Sequence, residues 1–374
     1  MITAFKRIVI CAVAALAMAA PAAAEGLFEM GWRELSPGVW LGARENAMRS
    51  PVLANTVFVV GDDSVMVFDG GGVATQGEQT LAQIRKVTDK PVSAIVVSHW
   101  HGDHHRGNGP FIDAFPDADI ISHSFTRDAI NGGPMKRVAD GEKNLSATYD
   151  AVAKIAGEGK WFDGSDLAPQ EIEYFNRFMA DKDEYLAEFE RNRIDPPTRV
   201  FDDELEIDLG GRTVTLLHVA PGNTKGDVML YLPDAKILAT GDVVVAPVPY
   251  GFFSYPQSWI GVLNTIAAMD VKTLVPGHGA VQTDMEYVRL VSETLALVIA
   301  QVDPLAKEGK ELKEVGPAVD FSAVEERFTH GDPVLKRFFA MYFKQPVVSA
   351  QYTLATGGDN ESLDYEPPAE PASE

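Results

Sequence analysis

His99-Trp100-His101-Gly102-Asp103-His104 places four metal-capable side chains within six positions, directly after the apolar, β-branched run at residues 92–97. That run reads as a buried strand, so the histidines sit on the loop at its C-terminal end. In an extended loop, residues two apart project to one side, and His99 and His101 can grip one metal together. The turn at Gly102 lets Asp103 and His104 face a second metal a few ångströms away. Imidazole and carboxylate donors suit zinc, and three protein ligands leave a fourth position open for chemistry.

Working outward, residues 55–60 and 64–68 are short apolar strands joined by Gly61-Asp62-Asp63, a hairpin signal. Asp69-Gly70-Gly71-Gly72 ends the second strand, and residues 76–90 have helical spacing with Leu81, Ile84 and Val87 on one face. A short helix at 110–115, a strand at 118–122 and a helix from Ser124 continue the alternation, which predicts α/β layering around a sheet. Between about 127 and 197 strands vanish. Ile172, Phe175, Phe178, Met179, Leu186 and Phe189 form an apolar stripe that Pro196-Pro197 terminates, which predicts a helical insertion able to roof the site. Sheet character returns at 200–209, 213–219, 228–232, 236–239 and 271–275, the last ending in Pro276-Gly277-His278-Gly279. C-terminal helices are expected over about 286–345, specifically 286–306 and 334–343, and the acidic stretch 357–374 reads as a disordered tail.

At the other end, Lys6 and Arg7, an apolar run over 8–20 and Ala22-Ala23-Ala24 predict a secretory signal peptide over 1–24, too short to span a bilayer. Cys11, the single cysteine, falls inside it, so any metal site must use His, Asp, Glu or Asn. The expectation is a periplasmic or secreted protein without a membrane anchor, one domain over 25–356. Without Lys6 and Arg7 the chain carries 30 basic against 54 acidic residues. Such a charge repels polyphosphates, so a small molecule and not nucleic acid is the expected partner.

The motif, with Asp242 in Thr240-Gly241-Asp242 and His278 between glycines, resembles that of the metallo-β-lactamase-fold hydrolase superfamily over about residues 39–287, the insertion set aside. The resemblance implies a four-layer αββα sandwich. It implies His99 and His101 at one metal site, Asp103, His104 and His278 at another, and Asp242 bridging them. Asp69 matches a structural acid of that fold. Zinc is the implied ion, one or two per chain, with manganese or iron as alternatives.

One position departs from the pattern: where the superfamily usually has Gly-His-Thr, this chain has Gly222-Asn223-Thr224. An amide oxygen is a weaker zinc ligand than imidazole. Asn223 as an oxygen ligand, His218 as its replacement, and a defective first site all remain open.

The resemblance implies hydrolysis by a metal-activated water that Asp103 or Asp242 orients, the two residues expected to be catalytic. An amide or ester bond is the expected target, with a β-lactam as the leading guess and a lactone or other ester as the alternative. The alternative of another class is a metal-binding protein without efficient turnover. Tyr250, Phe252, Phe253, Tyr255 and Trp259 suggest an aromatic wall, and Lys225 and Arg106 are candidate catchers of a substrate carboxylate. His105 and His123 stand outside the ligand order.

Overall fold

The computed structural model describes residues 26–364 except residue 144, so the leader reading lies outside the described residues. The first sheet comprises β1 (Gly31–Ser36), β2 (Val39–Ala43), β3 (Thr56–Val60), β4 (Val65–Phe68), β5 (Val92–Val96), β6 (Asp119–His123) and β7 (Arg199–Phe201), paired in that order. The second comprises β8 (Glu204–Asp208), β9 (Thr213–Leu217), β10 (Met229–Leu232), β11 (Ile237–Ala239) and β12 (Thr273–Val275), also paired in sequence order. Most pairs at the start of each sheet are antiparallel, whereas β4 to β7 run parallel, as do β11 and β12.

The period-two alternation of the strands makes the layers. Val57, Val59, Met66, Phe68, Ala94 and Val96 point between the sheets, where they meet Leu216, Leu230, Leu232, Ile237 and Ala239 of the second sheet. Their neighbours Phe58, Val65, Val67 and Ile95 point outward, onto a helical layer that includes Ile84, Phe111 and Ile130. On the far side, Met229, Leu238 and Leu274 meet Trp259, Leu263, Val291, Leu295 and Val298 from helices Pro256–Ala268 and Glu286–Lys307. Both faces of both sheets are covered, which gives the αββα order helix, sheet, sheet, helix.

Residues 200–209 do not form one strand. The chain leaves the first sheet after Phe201 and enters the second at Glu204, because Asp202 and Asp203 turn it across the sandwich. The helix near 76–90 spans Ala74–Val87 and buries Ala74, Gln76, Gly77, Thr80 and Ile84, whereas Val87 is exposed. Polar residues are tolerated on that face because Gln76 donates to the Ala54 carbonyl and Thr80 to the Gln76 carbonyl.

The stretch 127–197 is helical, with Gly133–Glu142, Leu145–Glu158, Pro169–Ala180 and Lys182–Phe189. The helix near 334–343 is longer than expected, running on from Pro333–Phe338 through a widened turn to Gln345–Ala355, since Phe339, Phe343, Val347 and Val348 are buried. The tail reading is corrected for residues 357–364: Glu361 is only 1% exposed and lies against the histidine loop. Two N–H donors aimed at its carboxyl group offset part of the cost of burial, which still pushes the acid up to about 8. No helix among the described residues is long and apolar enough to cross a membrane.

Leu230→Ala opens a cavity between the sheets and should cost about 2–5 kcal/mol. The measurement is the denaturant midpoint at unchanged slope; a shift worth less than about 1 kcal/mol would mean that the two sheets do not share a rigid core.

Candidate metal centre

The donor residues follow the carboxyl ends of parallel strand pairs. Asp69 follows β4, His99 to His104 follow β5, Asp242 follows β11 and His278 follows β12. Two backbone bonds tie the sheets together at this rim, from Val228 N–H to the Ser98 carbonyl and from Asn55 N–H to the Gly277 carbonyl, each 2.7 Å. Glycine is required twice where the strands end. Gly241 takes φ +51, and a Cβ on Gly277 would stand 2.1 Å from Asp242 Oδ1.

Three inward imidazoles have their Nδ1 engaged. His99 Nδ1 lies 3.0 Å from Ser98 Oγ, His104 Nδ1 lies 2.7 Å from Asp69 Oδ2, and His278 Nδ1 donates to the Leu53 carbonyl at 3.0 Å. Asp69 also accepts the Ser98 backbone N–H at 2.8 Å, so it orients the histidine loop and one of its rings together. The Nε2 atoms of His99, His104 and His278 are left buried without hydrogen-bond partners.

Those atoms converge on two carboxylates. Asp242 Oδ1 stands 3.2 Å from His104 Nε2 and 3.4 Å from His278 Nε2, while its Oδ2 stands 3.7 Å from His99 Nε2. Asp103 Oδ2 is 3.1 Å from His278 Nε2 and 3.7 Å from His104 Nε2. Two groups result, His99 with His101 and Asp242, and Asp103 with His104 and His278, the donor atoms of each lying within 4.8 Å of one another. Buried donors without partners are costly. A cation in each group would satisfy them, and the nitrogen and oxygen donor set suits zinc. These residues therefore fit the metal that the fold implies.

Asn223 is fully buried, and its Nδ2 donates to the Tyr250 carbonyl at 2.9 Å. A carbonyl only accepts, so this bond assigns the amide orientation and leaves Oδ1 without a partner. Asp227 holds the turn, accepting from the Thr224 backbone and hydroxyl. His218 does not replace Asn223. Its Nδ1 lies 2.8 Å from the Asp227 carbonyl, its ring packs 4.1 Å from His123, and it joins neither donor group.

The two candidate cations are held by acids. Lys225 Nζ pairs with Asp359 at 2.7 Å, and Arg106 pairs with Glu142 at 2.6 Å while its guanidinium covers the Phe189 ring. His105 is buried with Nε2 at the Trp100 carbonyl, and His123 caps the following helix through the Phe125 N–H. The aromatic run divides. Trp259 is core, donating to the Val243 carbonyl, and Tyr255 reaches Asp359. Phe253 lies 5.7 Å from Trp100 and 6.3 Å from His101, and Tyr250 lies 5.4 Å from His278 with its buried hydroxyl unpartnered.

The insertion clasps the loops beside the cluster. Glu188 accepts the Thr75 N–H, Asn192 donates to the Gly72 carbonyl and Arg193 to the Gly109 carbonyl. A cleft of about 1220 Å³ bordered by Met48, Tyr174, Arg177 and Tyr287 contains none of the donor residues. Sequence reasoning missed Ser98, the Leu53 and Tyr250 carbonyls, and Glu361. Carbonyl partners carry no residue-type signal, and Glu361 is 261 positions from Trp100.

Electrostatics separates the halves. Burial holds His99 and His101 below the ordinary histidine range, with neighbouring imidazoles pushing His99 further. Burial opposes charge at His104 too, but Asp242, Asp69 and Asp103 overcome it and hold this ring well above the usual range. His278 is raised in the same way, against burial, by Asp242 and Asp103. Burial works against ionisation of Asp103, and His104 and His278 reverse it, holding the carboxyl well below its usual range.

A family model, the metallo-beta-lactamase superfamily, matches residues 49–278, and the chain belongs to that superfamily. The linear primary-alkylsulfatase of Pseudomonas sp. (strain ATCC 19151) is 25% identical over 333 residues, covering 83% of this chain and 58% of that protein. The chain thus spans less than two thirds of this relative's length. An acyl-coenzyme A thioesterase of Bos taurus is 34% identical over 88 residues, 22% of this chain and 31% of that one. Among solved structures, the stereoselective inverting sec-alkylsulfatase Pisa1 from Pseudomonas sp. matches with TM-score 0.60 and 16% identity, covering 91% of this chain and 52% of that chain, a likeness of fold.

Ligation needs neutral imidazoles, and His104 and His278 are held above the ordinary histidine range whereas His99 and His101 are held below it, so filling the Asp103, His104 and His278 group should release more protons than filling the other. Calorimetric zinc titrations in buffers of different ionisation enthalpy should therefore show proton release assigned to the first group and lost in His278→Ala. Equal release from both groups would contradict this assignment.

Proposed function

We propose that this chain is an exported, zinc-dependent hydrolase of esters with an alkyl portion, alkyl sulfates being the leading substrate class. The observation that carries the reading is the extent of the alkylsulfatase match, which takes in 83% of the chain and so exceeds the span of the superfamily model. The 88-residue thioesterase match supports ester-type chemistry more generally. The β-lactam expectation rests on the superfamily resemblance alone and enters the test as a competitor.

In this reading His99, His101 and Asp242 would hold one ion and Asp103, His104 and His278 the other, with the unpartnered Asn223 Oδ1 a further candidate ligand. Bound zinc would supply a Lewis acid and lower the pKa of water toward about 7. Asp242 has one oxygen toward each histidine group, so it aligns the two halves. Asp103, partly exposed, orients the attacking water, whose proton passes to solvent. The unpartnered Tyr250 hydroxyl donates to a substrate oxygen, and Phe253 beside His101 supports the alkyl chain.

The test uses metal-defined protein against octyl and dodecyl sulfate, a lactone, an acyl-coenzyme A and a chromogenic cephalosporin, with and without chelator. Chelator-sensitive sulfate release is expected. Turnover of the cephalosporin alone would replace this reading with the β-lactam one, and silence on every substrate despite bound zinc would favour a metal-binding protein without turnover. Tyr250→Phe should lower kcat by about tenfold or more while metal content holds; loss of metal would make Tyr250 structural. Fractionation of expressing cells tests export, which retention in the cytoplasm would contradict.

A further inference from the structure

Glu361 accepts two hydrogen bonds from loops that meet at the metal centre. Its Oε1 takes the Trp100 indole N–H at 2.5 Å, and its Oε2 takes the Lys225 backbone N–H at 2.6 Å. Trp100 stands between His99 and His101, and Lys225 lies two residues beyond Asn223. One buried carboxyl group therefore ties together the loops that carry His99, His101 and Asn223.

Its neighbours secure it. Asp359 pairs with Lys225 Nζ at 2.7 Å and accepts the Tyr255 hydroxyl, and Asn360 Nδ2 donates to the Ser254 and Ala350 carbonyls. The Gly133 N–H reaches the Leu363 carbonyl at 3.0 Å. Residues 359–363 thus stitch the histidine loop, the Asn223 turn, the aromatic loop and the helical insertion to one another.

Trp100 is 1% exposed, and its ring packs edge-on at 4.5 Å from His101. An indole released from Glu361 would let His101 shift, and a released Lys225 backbone would let the Asn223 turn drift. His104 and His278 are held by Asp69 and the Leu53 carbonyl, as His99 is by Ser98, so among the described bonds His101 is the motif ring without such a hold and the one that a shifted indole moves.

We propose that Glu361 is a positioning residue for the His99 and His101 half: through Trp100 and Lys225 it sets the spacing of the two loops, and so that half's metal affinity relative to the other. The inference rests on the metal centre proposed above. It contributes no ligand atom; its effect is preorganisation of the donors.

Cobalt(II) titration followed by visible absorption, with tryptophan fluorescence recorded in parallel, tests it. The component lost in His101→Ala identifies the half concerned. Glu361→Ala should weaken that component by about tenfold to a hundredfold, the range seen when a partner of a metal ligand is removed, and leave the other within about threefold. Glu361→Gln keeps the shape but turns an amide N–H toward one of the two donors, so it should fall between; it carries the test should the alanine variant not fold. Asn360→Ala loosens the strap without touching the carboxylate and should lower thermal stability without the selective loss. Unchanged affinities, or equal weakening of both components, would overturn the proposal. A wild-type chain that binds no cobalt in the His99 and His101 half would instead overturn the metal reading of that half, and this inference with it.

Discussion

Asp69 accepts the Ser98 backbone N–H with one oxygen and faces His104 Nδ1 with the other. The first contact fixes where the chain goes after β5, and the second fixes which nitrogen of His104 is turned toward Asp242. Asp69 takes φ +59 to do both, a left-handed conformation that aspartate tolerates better than most side chains. The same arrangement recurs with different partners at His99 and His278: an engaged Nδ1 and an inward Nε2. Outward-facing bonds thus prepare three of the inward imidazoles, as second partners of metal-binding histidines do.

The sandwich makes such bonds possible at one rim. Parallel pairing of β4 with β5, and of β11 with β12, brings two carboxyl-terminal strand ends together in each sheet. The apolar layer shared by the sheets then holds the two pairs face to face. Loops alone would incur the entropy of converging residues spread from Asp69 to His278; the sheets have already ordered the points from which those loops depart.

Much of this was legible locally. The alternation of Val57, Phe58 and Val59 encodes which residue points between the sheets, and the spacing of His99, His101, Asp103 and His104 encodes which donors fall in which group. The superfamily match over residues 49–278 agrees with the resemblance read from the motif. What was illegible depended on distant partners. Lys225 and Arg106 looked available for a substrate because their acids, Asp359 and Glu142, are remote in sequence. The crossing at Asp202 and Asp203 was hidden inside one continuous strand-like run, since β propensity does not say which sheet a residue joins. Glu361 was masked by its setting in an acidic terminal stretch, where composition suggests solvation and only the Trp100 and Lys225 donors make burial tolerable.

The two halves of the centre are unequal for a reason that lies in their charges. Each group has one carboxylate, Asp242 with His99 and His101 and Asp103 with His104 and His278, but Asp242 Oδ1 also lies 3.2 Å from His104 Nε2, so the second group draws on both acids. With a smaller share of the charge, the His99 and His101 half is expected to depend more on geometry, because misplaced neutral ligands cannot be offset by long-range attraction. The tie from Glu361 to Trp100 and Lys225 acts on the two loops of that half. Rigid placement there compensates for an amide oxygen at position 223 being a weaker ligand than imidazole.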